Sequence, residues 1–258
     1  VIDSWNLEPA LLIMLPAQVL GYLLCIGPLR RFFPGAAPVP PLRRQSFLLG
    51  MALLFVALVS PIDTYAGYLF SAHMIQHLML ALVVPPFLLA GIPGWLLAPL
   101  WRIPLALRLA RWLTRPLVAF LLFNVVFIGW HVPALYDLAL REQRVHIYEH
   151  LTILFSALLT WWPIFGNAAE LPRAHPLLQT AYLFLQSLPS TILGALISFA
   201  TDPLYPHYTT VPRLWGIGLM EDQQAAGLIM WIPGSLVFFA VMAVVFVTWL
   251  NRGDRVAS

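Results

Sequence analysis

Long apolar runs, interrupted by proline, glycine and arginine, cover most of this 258-residue chain. A bilayer crossing needs about 20 consecutive, predominantly apolar residues. Seven stretches reach or approach that length: 9–27, 46–60, 68–91, 116–134, 145–165, 176–200 and 222–250. The second is short and is expected to begin inside the preceding loop. Pro34, Pro38, Pro40 and Pro41 punctuate the first loop, Pro93, Gly94, Pro99 and Pro104 the third, and Pro203, Pro206 and Pro212 the sixth. The pattern predicts an all-α, polytopic membrane protein: a single transmembrane helical domain over residues 1–258 with seven transmembrane helices. The first stretch has no basic region before it and no obvious small-residue cleavage site after it, so it is read as a retained span and not as a signal peptide.

Composition supports this and narrows the chemistry. With 60% hydrophobic and only 10% charged residues, the chain is too apolar to expose an ordinary surface to water. All fourteen basic residues are arginine, and they collect in short loops, which argues for membrane orientation and against a nucleic-acid partner. If seven spans alternate, Arg30, Arg31, Arg43, Arg44, Arg102, Arg108, Arg111, Arg115, Arg173, Arg252 and Arg255 share one side. The other side receives only Arg141, Arg144 and Arg213. The positive-inside rule then places the N-terminus outside and the C-terminus in the cytoplasm. Asp3, Glu8, Asp63, Asp137, Glu142, Glu149, Asp202, Glu221 and Asp222 fall on the outer side, a face suited to receiving cations. The single cysteine, Cys25, excludes an internal disulfide and a Cys-Cys metal motif, so a metal site must be built from His, Met or carboxylate.

Five histidines supply such a site. His73 and His77 (SAHMIQH) and His146 and His150 (HIYEH) each have the four-residue spacing that stacks side chains on one helix face, and His131 (GWHVP) closes the fourth span. On the seven-span topology all three helix ends converge at similar depth on the outer side. Asp63, Glu149, Met220, Glu221, Asp222 and Gln223 join them. A charged side chain at mid-helix in a bilayer costs about 2.5–3.5 kcal/mol, falling towards the interface, so such a concentration of polar groups points to a function. A lone interfacial histidine is ordinarily just solvated or hydrogen-bonded; two spaced pairs and a fifth favour a shared metal.

Imidazole suits copper, zinc, iron and nickel, and thioether favours cuprous copper, so the ligand set does not choose the element. Met74, Met79 and Met220 lie near, although methionines at such positions commonly serve packing. Asp63 and Asp222 can accept a hydrogen bond from the second nitrogen of a ligating histidine, or cap a helix start; Glu149 and Gln223 have the same two options, and capping leads for Glu221. Met220 and His207 are possible entry residues. Gln186, Ser187, Ser190, Thr191 and Ser198 can bond across helices, and Trp95, Trp101, Trp161 and Trp162 fit interfacial belts.

SPID, SAHMIQHLML, WHVPALYDLAL, HIYEHL and DQQAAGLIMWIPG, in that order, resemble the CtaG family of integral membrane cytochrome c oxidase assembly factors, found with caa-type oxidases in bacteria. The likeness runs from about the second span to the seventh. It implies a multi-pass protein of the bacterial inner (plasma) membrane that helps mature the oxidase by supplying or inserting copper at the outer side. Its partners would be oxidase subunits, an extracytoplasmic copper donor and membrane lipid. The family motifs fall on His73, His77, His131, His146, His150, Asp63, Asp222 and Gln223. The leading expectation is therefore a copper-binding assembly factor and not an enzyme. An intramembrane zinc hydrolase, a b-type haem protein and a scaffold with purely structural histidines remain alternatives.

Overall fold

Proline starts most of the helices. A computed structural model describes residues 4–257, with 252–257 as backbone only; Asp3, Arg252 and Arg255, used above to sort charge, lie outside the described side chains. In chain order the elements are α1 (Pro9–Ile26), α2 (Pro41–Val59), α3 (Pro61–Ala66), α4 (Phe70–Leu78), α5 (Val84–Gly91), α6 (Gly94–Trp101), α7 (Pro104–Leu113), α8 (Pro116–Trp130), α9 (Pro133–Arg141), α10 (Gln143–Phe165), α11 (Pro176–Ser198), α12 (His207–Thr210) and α13 (Leu219–Ala257). Among the described residues there is no strand. Proline at the first helical position has a φ already suited to the helix and removes an amide that would have no partner there.

Five helical stretches are long and apolar enough to cross a membrane: α1, α2, the continuous Phe70–Gly91 segment, α11, and Leu219–Asn251 of α13. A sixth is counted if α7 and α8, bent by 75° across residues 114–115, form one broken span. The second begins at Pro41, inside the preceding loop as expected. The fourth is shorter than expected. α8 has 15 residues and stops at Trp130, because His131 turns the chain and Pro133 starts a new helix. α10 has 23 residues, but His146, Glu149 and His150 near its start dilute its apolar content.

The third segment shows how a broken helix is repaired in an apolar setting. Met79–Val83 forms a π-helical turn between α4 and α5, followed by Pro85 and Pro86. Neither proline has an N–H, so the Ala81 carbonyl has no donor in either an α or a π ladder. The indole of Trp161 on α10 supplies one, Nε1 donating to Ala81 O at 2.8 Å. Trp161 is therefore buried at the centre of the bundle, not in the interfacial belt where its sequence position suggested.

Close helix contacts use small residues. A Cβ at Gly194 of α11 would stand 2.7 Å from the Gly227 carbonyl of α13, and one at Gly91 would stand 2.5 Å from Phe47 of α2. Of the polar residues expected to bond across α11, Gln186 accepts from Asn124 (3.2 Å) and donates to Thr160 (3.3 Å). Thr191 meets Ser235 at 2.7 Å, and Ser198 donates to Gln224 O at 3.3 Å. Ser187 and Ser190 instead bond back to their own helix. α10 lies against α8, α9, α5 and the Met79–Val83 turn, and because the last two continue α4, the histidine-bearing ends of α4 and α10 come together.

Candidate metal centre

The spacing of residues 73 and 77 places two imidazoles on one face of α4. Residues 146, 149 and 150 stand at i, i+3 and i+4 on α10, so Glu149 shares the face of the second histidine pair. Packing these two helices together brings His73, His77, His150 and Glu149 into one group, each offering a ligand atom within 4.8 Å of the others. His73 and His77 meet Nε2 to Nε2 at 2.7 Å, and the Glu149 carboxylate lies 3.8 Å from the first and 3.5 Å from the second.

The outer two histidines flank this group. The His146 ring is 4.2 Å from that of His150 and 5.6 Å from that of His73, centroid to centroid. The His131 ring stands 5.9 Å from His77. His131 Nδ1 donates to Phe127 O at 2.6 Å, and its Nε2 faces the Met74 sulfur at 3.4 Å. All five rings thus form one chain of contacts, with four groups at its centre.

The donors in this cluster are short of partners. Both oxygens of Glu149, Nδ1 of His73 and His77, and Nε2 of His146 and His150 are buried with no hydrogen-bond partner among the described residues. Glu149 and His73 are fully buried. A buried carboxylate without donors is costly, and a cation among these groups would satisfy several at once. Three imidazoles and a carboxylate form a donor set that fits a transition-metal ion.

The surrounding carboxylates and amides have more specific places than spacing could tell. Asp63 accepts from Asn6 (2.8 Å) and from Gln76 Nε2 (2.7 Å). Gln76 also donates to Ala57 O, so Asp63 braces α4 through Gln76; among the described residues it makes no hydrogen bond to a histidine. Asp222 caps α4, a helix it does not belong to, accepting from the Phe70 and Ser71 amides (2.9 and 3.0 Å) and the Ser71 hydroxyl (2.6 Å). Arg213 pairs with it at 3.1 Å. Of the two options read for Asp222 it takes the helix cap, at the start of α4 and not of the helix that carries it. Glu221 does cap α13, accepting from Gly218 N at 3.0 Å.

Gln223 points to the 199–218 loop, accepting from Leu204 N and donating to Asp202 O, and not to the histidines. His207 is also held, its Nε2 donating to Gly67 O at 2.9 Å, while Met220 is half-buried.

An aromatic lid, which the sequence reading did not single out, covers the cluster. Phe70, Tyr136, Tyr205 and Tyr208 contact one another, and Tyr136 lies 5.0 Å from the His73 ring. Tyr136 and Tyr208 join through their hydroxyls at 2.9 Å, Tyr208 donates to Ala66 O, and Tyr205 donates to His131 O at 3.0 Å. Burial raises the phenols of Tyr205 and Tyr208 above their usual range, so both remain neutral donors. The tyrosines of WHVPALYD and LYPHY were the available signal, being hydroxyl-bearing rings in segments that join the long helices.

This histidine-rich chain matches the model of the cytochrome c oxidase caa3 assembly factor family over residues 20–252. It belongs to that family. The chain is similar to an uncharacterized protein of Mycobacterium bovis, 26% identical over 234 residues, covering 84% of this chain and 35% of the relative. Another, from Mycobacterium leprae, is 25% identical over 242 residues, covering 83% of this chain and 35% of the relative. The chain thus spans about a third of the length of these curated relatives. No solved structure matches it.

Proposed function

We propose that this chain binds copper at the His73, His77, His150 and Glu149 group and hands it to a cytochrome c oxidase subunit during assembly. The observation that carries this reading is the buried convergence of three imidazoles with a carboxylate that has no other partner. Family membership supplies the oxidase context. Copper is the cargo, and delivery by ligand exchange asks only for a site that can open. The lid of Tyr136, Tyr205 and Tyr208 is the part that would have to move.

Counting α8 with α7 as one span and α10 as another brings the total to seven. The arginine distribution then puts the N-terminus outside, the C-terminus in the cytoplasm, and the cluster near the outer face of the bacterial plasma membrane. An extracytoplasmic donor would load it there. Close ring spacing, 4.2–6.1 Å between neighbouring histidine centroids, leaves no slot for a haem macrocycle between them and favours a single ion.

Elemental analysis of detergent-purified protein tests the reading. Copper at one per chain or above in the wild type, lowered by about one equivalent in His73→Ala and His150→Ala, is the expected result. Zinc alone would move the assignment to a hydrolase-type site, haem iron to a haem protein, and wild-type copper in both variants would end the direct-binding proposal.

A further inference from the structure

His131 and Met74 face one another in a way that hydrogen bonding does not explain. The Phe127 carbonyl can only accept, so His131 Nδ1, 2.6 Å from it, carries the proton of the neutral ring. Nε2 then holds a lone pair, and it is aimed at the Met74 sulfur, itself a weak acceptor, at 3.4 Å. Met74 is fully buried and His131 nearly so. A doubly protonated ring would offer the sulfur a hydrogen, but among the described residues no carboxylate lies within salt-bridge distance of His131 to balance a buried charge. Two buried lone pairs therefore oppose each other.

We infer that His131 Nε2 and Met74 Sδ form a second metal position, selective for a soft monovalent cation such as Cu+, beside the three-histidine and glutamate group. An imidazole and a thioether suit Cu+, whereas the carboxylate of the first group suits harder divalent ions. Their separation allows both to bond one ion without moving α4 against α8. His77 is the shared wall between the two positions. Its ring centroid lies 5.9 Å from His131 and 5.6 Å from His150.

Met74 and His77 also line a small cavity of about 20 Å³, with Phe127, Met230 and Phe238 among its other walls. The inference rests on the copper reading of the neighbouring group, and extends it to two adjacent positions of different hardness.

Paired titrations of detergent-purified protein separate the two positions, with Ag+ as a redox-inert stand-in for Cu+ and Co2+ as the divalent probe. Met74→Leu, close to isosteric, is expected to lower Ag+ affinity by at least about tenfold while leaving Co2+ stoichiometry unchanged. Equal Ag+ affinity in wild type and Met74→Leu overturns the second position. Failure of Co2+ to bind the wild type, with Ag+ still dependent on Met74, would instead remove the three-histidine and glutamate site and leave this one standing. As a check that does not rely on stability, X-ray absorption of Cu+-loaded wild type should contain a sulfur shell that Met74→Leu lacks; nitrogen-only coordination in the wild type overturns the assignment.

Discussion

Asp222 on α13 holds the amide of Phe70 on α4 at 2.9 Å, so the helix that carries His73 and His77 is capped by a side chain about 150 positions further along the chain. The same carboxylate takes the Ser71 amide and hydroxyl and pairs with Arg213. Asp222→Ala is expected to cost about 1–3 kcal/mol, because it strands two amides and removes the partner of the half-buried Arg213 guanidinium. Asp222→Asn, which keeps an acceptor, should cost less. Thermal unfolding in detergent would check the order, and equal melting temperatures for both variants and wild type would rule out a capping role.

Glu149→Gln should separate stability from binding. The carboxylate has no hydrogen-bond donor and is fully buried, so replacing it by a neutral amide should leave the metal-free protein as stable as wild type or more so. Metal affinity should fall at least about tenfold, since the group is either a ligand or a direct neighbour of two. Competition with a coloured chelator reads the affinity, and unchanged binding would place Glu149 outside the coordination.

Tyr136→Phe removes one hydroxyl from the lid and leaves the Tyr208 bond to Ala66 in place. Expected is a loss of about 0.5–1.5 kcal/mol in stability, together with faster removal of bound metal by an external chelator. An unaltered off-rate would show that the tyrosine pair does not gate the site.

The bond from Trp161 to Ala81 can be tested by a double-mutant cycle. Trp161→Phe alone leaves the Ala81 carbonyl without a donor, which should cost about 1–3 kcal/mol. In a Pro85→Ala background an amide is again available to that carbonyl, and the cost of Trp161→Phe should shrink. Equal costs in both backgrounds would show that the indole matters only for packing.

How far the sequence disclosed this site depends on the range of the signal. His73/His77 and His146/His150 were legible because four-residue spacing is a local property of a helix, and the i, i+3, i+4 relation of His146, Glu149 and His150 was readable in the same way. The partners of Asp63, Asp222 and Gln223 were not, since each reaches across a tertiary contact, Asp63 to the side-chain amides of Asn6 and Gln76 and the other two to backbone groups that any residue type presents. Trp161 was misplaced for a related reason. An indole near the end of an apolar run looks like a belt residue until the carbonyl freed by Pro85, on another helix, is known. The length of α8 was overestimated because GWHVP is apolar enough to extend a hydropathy run, although the proline at 133 ends it in space.

The prolines at helix starts have a consequence for insertion. α1, α2, α3, α7, α8, α9 and α11 begin at Pro9, Pro41, Pro61, Pro104, Pro116, Pro133 and Pro176. Each brings one fewer amide hydrogen to a boundary where water thins out, and of these seven only α3 and α11 add a side-chain acceptor, from Ser60 and His175. The chain thus lowers the dehydration penalty at its helix ends by having fewer groups to dehydrate, which leaves its scarce buried polar side chains free for the metal cluster.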